Sequence, residues 1–178
     1  MRKAASSNRC DSHAPSRGAW LDNAAILSDA RPMSMTEATN PPDEVIAALL
    51  RRRPRVALVG ASDKPNRPSF GVMRFLLGHG FDVVPVNPLL AGSAIQGQMV
   101  VAGLAEAGAL DMVDVFRRSE DTGPVVEEAW QLGAQAVWLQ LGVVNEAAAT
   151  AARARGALMI QDRCPAIEWP RLRLSDSP

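Results

Sequence analysis

Cysteine and histidine are scarce in this 178-residue chain: Cys10 and Cys164 are its two cysteines, His13 and His79 its two histidines. A disulfide framework is therefore excluded, which fits a reducing compartment. No Ser-His-Asp set, no cluster with metal-ligand spacing and no carboxylate pair at strand ends can be assembled from these candidates. Net charge is also missing, because 19 basic residues balance 19 acidic ones. Whole-surface attraction to nucleic acid or to anionic lipid is accordingly not expected. No apolar run approaches the roughly 18–20 residues needed to cross a bilayer. The first residues lack the apolar centre of a secretory signal. A cytoplasmic location is the expectation.

Hydrophobic residues make up 47% and charged residues 21%, an ordinary globular balance, and the length suits one domain rather than two. Residues 1–39 read as a disordered extension rich in Ser, Ala, Arg, Asn and Pro. Trp20, Leu21, Ile26 and Leu27 make no sustained period there, and Asp11, Asp22 and Asp29 argue against a transit peptide. A single domain is expected over residues 40–174.

Within it, short apolar runs alternate with helical patterns. Asn40-Pro41-Pro42-Asp43 looks like a helix start with Asn40 as the capping side chain. Val45, Ile46, Leu49 and Leu50 follow at helical spacing until Arg51-Arg52-Arg53-Pro54. Val56 to Val59, Val83 to Val86, Met112 to Phe116, Ala136 to Leu139 and Ala157 to Ile160 read as strands buried on both faces. Helices between them are expected to be capped by Ser69, opened by Pro124 and capped by Asn145. Residues 91–109 give no clear pattern. The alternation implies a doubly wound, Rossmann-like α/β fold with a mainly parallel five-stranded sheet and helices on both faces.

In such sheets ligands bind beyond the carboxyl ends of the strands. The first strand runs into Gly60-Ala61-Ser62-Asp63-Lys64-Pro65-Asn66-Arg67-Pro68-Ser69, a long loop combining small residues with Ser62, Lys64 and Arg67. Small residues allow close backbone approach, and the following helix offers free N–H groups to an anion. Arg67 adds a candidate phosphate partner. The Gly-Lys-Ser/Thr ending of a P-loop is missing. A nicotinamide dinucleotide fits poorly as well: there is one glycine where three are expected, and no acidic residue follows the second strand. That strand ends instead in Pro85-Val86-Asn87-Pro88. The third strand leads to Phe116-Arg117-Arg118, an aromatic and two guanidinium groups suited to a base and a phosphate or, equally, to a core phenylalanine beside solvated arginines. Trp138 is expected in the core, whereas Gln140-Leu141-Gly142 offers an amide and a flexible glycine. Asp162-Arg163-Cys164-Pro165 reads as a turn with a structural thiol, and Asp162 and Glu168 as turn or surface residues.

Taken in order, Val59-Gly60-Ala61-Ser62, Arg67-Pro68-Ser69, Pro85-Val86-Asn87-Pro88, Val113-Asp114-Val115-Phe116-Arg117, Val137-Trp138-Leu139-Gln140-Leu141-Gly142 and Asp162-Arg163-Cys164-Pro165 resemble the stand-alone bacterial CoA-binding proteins. Those are similar in turn to the CoA-binding domain of the succinyl-CoA synthetase α-subunit. The resemblance implies coenzyme A or an acyl-CoA as ligand. It implies that Gly60, Ala61 and Ser62 hold the pyrophosphate, and that Pro85, Val86, Asn87 and Pro88 border the adenosine and its 3′-phosphate. Phe116 and Arg117 would line the nucleotide side, and Gln140, Leu141 and Gly142 would meet the pantetheine arm.

The synthetases work through a phosphorylated histidine on a further domain. Here His79 lies in a turn at the opposite end of the sheet from the ligand loops. The expectation is a non-catalytic binding module acting as carrier, sensor or partner subunit, with no metal and no identified protein partner. The alternative is an enzyme, either a nicotinamide-dependent oxidoreductase or the CoA-binding half of a split acyl-CoA ligase.

Overall fold

The computed structural model describes residues 40–175. The expectation for residues 1–39 lies outside the described residues. The elements in chain order are α1 (Asp43–Arg51), β1 (Val56–Val59), α2 (Pro68–Gly78), β2 (Val83–Val86), β3 (Ala94–Ile95), β4 (Gln98–Met99), β5 (Met112–Val115), α3 (Thr122–Gln131), β6 (Ala136–Leu139), α4 (Glu146–Ala154), β7 (Leu158–Ile160) and α5 (Pro165–Arg171).

The main sheet has five parallel strands in the order β2-β1-β5-β6-β7. All of β1, β5 and β6 is buried, as expected for strands covered on both faces. The handedness of the crossovers fixes which side each helix covers. Moving from β1 to β2 places α2 on one face; reversing direction from β2 past β1 to β5 places the remaining crossovers on the other. Accordingly, Ile46, Leu50, Met73, Leu76, Leu58, Met112, Trp138 and Trp169 pack in one layer, which α1, α2 and α5 cover. Val59, Val86, Val113, Val115, Val126, Leu139, Ala149 and Ala152 pack in the other, under α3 and α4. Each large apolar side chain so buried contributes about 1.5–3 kcal/mol.

Several local expectations are corrected. Asn40 does not cap α1, whose N-cap is Pro42 without a side-chain bond. Its amide instead pairs with the Gln161 backbone, donating to the carbonyl at 2.9 Å and accepting from the N–H at 2.7 Å. Ser69 does not cap α2 either: the helix begins one residue earlier, because Pro68 sets φ for the first turn and Arg67 stands at the N-cap. Asn145 does cap α4, accepting from the Ala148 N–H at 3.0 Å. Residues 162–165 are more than a turn, since Pro165 opens α5 and Glu168 is 2% exposed rather than a surface residue.

Residues 91–109 contain the β3-β4 hairpin and a short 3-10 turn at Leu104–Glu106, so the β2-to-β5 crossover carries no α-helix. Val101 runs beside the sheet edge and donates to the Pro85 carbonyl at 3.0 Å. The N and O of one strand residue face the same side, so the N–H that Pro85 lacks would have faced this edge rather than β1. A proline inside an edge strand is tolerated for that reason.

Candidate functional site

The strand order reverses between β1 and β5, since chain direction turns toward β2 on one side and toward β6 on the other. The crevice at the carboxyl ends of these two neighbours is where open α/β sheets bind ligands. Gly60 lies there with φ +85°, and a Cβ on it would stand 2.5 Å from the Phe116 carbonyl oxygen. The missing side chain therefore lets the two strand ends close on each other. Phe116 also donates its N–H to the Val59 carbonyl at 2.8 Å, extending the pairing one residue beyond β5.

The neighbouring loops are tied to this point. Gly60 donates to the Val86 carbonyl at 3.0 Å. The Asn87 amide donates to the Ala61 carbonyl at 2.7 Å and accepts from the Leu89 N–H at 2.9 Å. Ala61 is 1% exposed and packs in the core, so its side chain is structural. Ser62 accepts from the Lys64 N–H at 3.2 Å, shaping the loop that enters α2. No side chain caps α2, which leaves first-turn N–H character available to an anion.

A cleft of about 170 Å³ opens on the α3 side of this region, lined by Val59, Val86, Pro88, Gly103, Arg117 and Val125 among others. It gathers three of the residues picked from sequence, namely Val86, Pro88 and Arg117. Residues 102–104 and α3 complete its wall, and the unpatterned sequence of the former gave no signal of that contribution. The paired arginines differ in occupation. Arg118 is held by Glu120 at 3.5 Å and Asp121 at 3.3 Å, whereas Arg117 has no carboxylate partner among the described residues. Lys64 and Arg67 are exposed and likewise lack an ion pair among the described residues. Three cations without acidic partners thus surround the strand ends.

Gln140, Leu141 and Gly142 sit farther along the sheet, beyond β6. Gly142, at φ +73°, donates its N–H to Asp162 at 2.7 Å, and Asp162 donates its own N–H to the Val143 carbonyl at 3.1 Å. Leu141 is 57% exposed. Gln140 is buried and donates from Nε2 to Oδ1 of Asp114 at 2.6 Å. Asp114 is fully buried inside β5, beside Leu58 and Trp138, and its Oδ2 has no partner. Burial pushes its carboxyl up to about 7, against the opposing pull of the Gln140 hydrogen bond and the nearby Val115 amide. A charged residue in the otherwise apolar run of β5 was the signal available in the sequence.

Trp138 is core, as expected, and donates to the Arg163 carbonyl at 2.8 Å. Cys164 is 7% exposed, and burial pushes its thiol up, away from the thiolate form. His79 bonds the Phe75 carbonyl through Nδ1 at 2.8 Å and stacks on the Phe75 ring, away from the strand ends. Among the described residues no group of three metal-ligating side chains occurs, and no helix is long and apolar enough to cross a membrane.

Comparison with known proteins bears on the same segments. Residues 54–170 match a family described as "CoA binding domain". The chain is 38% identical over 126 residues to the uncharacterized protein YneT of Bacillus subtilis strain 168, spanning 70% of this chain and 92% of that one. A hypothetical protein from Pyrococcus horikoshii OT3 superposes with a TM-score of 0.70 at 35% identity, covering 79% of this chain and 99% of the other. The cell-free ID.343 protein from Thermus thermophilus gives a TM-score of 0.69 at 32% identity, covering 74% and 99%.

Proposed function

This chain belongs to the CoA-binding domain family, and on that premise we propose that it binds coenzyme A or an acyl-CoA across the carboxyl ends of β1, β2, β5 and β6 without catalysing a reaction on it. The observation that carries this reading is the set of three basic side chains, Lys64, Arg67 and Arg117, lacking carboxylate partners around the point where strand order reverses. Unpaired cations beside an uncapped helix start suit a ligand bearing several phosphates.

In this reading the backbone of Gly60, Ala61 and Ser62, with Arg67, meets the pyrophosphate. Pro85, Val86, Asn87 and Pro88 border the adenosine and its 3′-phosphate. Phe116 and Arg117 flank the nucleotide, and Gln140, Leu141 and Gly142 meet the pantetheine arm. Three of these residues act through parts other than those their sequence context suggests. Ala61 contributes close backbone approach alone, its N–H and carbonyl being bonded to Val86 and Asn87, Asn87 holds two loops in register, and Gln140 has one N–H of its amide nitrogen committed to Asp114.

The chemistry at the strand ends favours binding over turnover. Among the described residues the Cys164 thiol is buried, His79 is remote, and the one carboxyl with a strongly raised pKa sits beneath the mouth rather than in it. Carrier, sensor and partner-subunit roles all follow from binding alone. Calorimetric titration with CoA and dephospho-CoA is the test. Binding in the micromolar range, weaker for dephospho-CoA, is expected; heats equal to buffer for free and acylated CoA alike would end the proposal.

A further inference from the structure

Beneath the mouth, Asp114 and Gln140 make an asymmetric pair. One carboxyl oxygen takes the Gln140 nitrogen at 2.6 Å, and the other is buried with no partner. Nothing among the described residues donates to Gln140 Oε1, the other arm of that amide. The structure therefore draws one of two arrangements open to the pair. An ionised carboxylate is a pure acceptor and must face the amide nitrogen. A neutral carboxyl must place its O–H somewhere. On Oδ2 the O–H would be a buried donor without an acceptor, costlier than an under-satisfied carbonyl oxygen. On the oxygen facing Gln140 it finds an acceptor as soon as the amide turns over.

We infer that Asp114 and Gln140 form a proton-coupled amide switch: ionised Asp114 holds Nε2 and leaves Oε1 to the mouth, while neutral Asp114 donates to Oε1 and leaves Nε2 to the mouth. Binding of one proton to Asp114 thus exchanges an acceptor for a donor at residue 140. Asp114 is the positioning residue and Gln140 the recognising one.

The surroundings leave the pair free to act alone. Leu58 faces Asp114 from β1, and Trp138 from β6. From the start of α5 the titratable neighbour its charge reaches is the Cys164 thiol. Arg163 and Glu168 beyond it are paired with each other at 3.2 Å. The buried residues of α1 and α2 carry no charge, and Ser69 is the polar one among them. No fixed charge therefore holds Asp114 in one state, and burial brings its titration into the neutral range.

The ligand consequence rests on the reading that an amide-bearing arm passes over Gln140 with an N–H, rather than a carbonyl, turned toward it. With Oε1 outward, residue 140 accepts from an arm N–H; with Nε2 outward, that hydrogen bond is lost. The ionised state is therefore the tighter-binding one.

Two measurements test this. In the ligand-free protein, the side-chain ¹⁵N and ¹H resonances of Gln140 are followed from about pH 5 to about pH 9. A titration with a midpoint in the neutral range, abolished in Asp114→Asn, is expected; resonances that stay still in the wild type overturn the switch. Affinities for CoA and for 3′-phospho-ADP, which has the same kind of phosphates but no arm, are then compared on either side of neutral. CoA is expected to bind about threefold to tenfold tighter on the alkaline side, beyond any change shared by 3′-phospho-ADP. An equal change for both ligands, or a CoA-specific change of the opposite sense, overturns the acceptor role of Oε1. If CoA does not bind at all, the ligand reading falls while the resonance titration still decides the switch. Because that titration uses the wild type, poor folding of Asp114→Asn does not leave the question open.

Discussion

Gly60 shows why a single residue at a strand end can be irreplaceable on packing grounds, before any ligand is considered. Its φ of +85° and the Phe116 carbonyl, 2.5 Å from where a Cβ would stand, exclude every other side chain. Gly60→Val is expected to cost about 2–4 kcal/mol, from left-handed strain and overpacking together, read by urea denaturation. An unchanged midpoint would mean that the two strand ends separate readily. Arg117 sits at the opposite extreme, exposed and without a carboxylate partner among the described residues. Arg117→Ala should leave the melting temperature within error while weakening CoA by roughly 1.5–3 kcal/mol in calorimetry, as loss of a charge-assisted hydrogen bond does. Arg118→Ala, whose guanidinium already faces Glu120 and Asp121, should weaken binding far less.

Among the elements, the strands and the helices between them were readable from sequence, because buried parallel strands appear as short apolar runs and amphipathic helices as period-3.6 patterns. Their ends were less so. Asn40 and Ser69 are residue types that commonly cap helices, yet one pairs with Gln161 just past β7 and the other is buried in a first turn begun by Pro68. Pro68 is the local sign for the second, but nothing local distinguishes the first, because its partner, Gln161, lies 121 residues away. The hairpin in the β2-to-β5 crossover escaped notice because its strands have two residues each, too short for any periodicity. Helix α5 escaped because its seven residues hold their place by tertiary contacts. Trp169 is 5% exposed and meets the Phe75, His79 and Phe81 rings, while Arg171 bridges Glu168 and Asp43 of α1. Trp169→Ala should therefore lower stability by about 3–5 kcal/mol in chemical denaturation. A loss under about 1 kcal/mol would mean that the ion pairs alone hold α5. As for the site, the loops were legible as loops, but the partners inside them were not. Asn87 as a bracket between two loops and Asp114 as the partner of Gln140 both depend on strand order.

For the molecule as a whole, Asp114 leaves a mark on the dependence of stability on pH. Its carboxyl titrates near 7 in the folded chain and near the ordinary carboxylate value when unfolded. Between those values the folded state holds a proton that the unfolded state has released. The stability this group contributes is therefore complete below the unfolded pKa and is lost as pH rises through the folded one. Asp114→Asn, which cannot ionise, should gain on the wild type by a few kcal/mol between mildly acidic and mildly alkaline buffer, measured as denaturation midpoints at each pH. Parallel pH profiles for the two proteins would show that Asp114 is ionised throughout.

The helix-free crossover from β2 to β5 has a topological result. It is the one place where the described chain passes from the two-strand side of the sheet, β2 and β1, to the three-strand side, β5, β6 and β7. A cut in its hairpin, at Gly97 for instance, would part the polypeptide along the same seam over which the proposed binding crevice opens. A molecule lying across that seam would clasp the two portions together, and reassembly of the severed halves would then report on its presence.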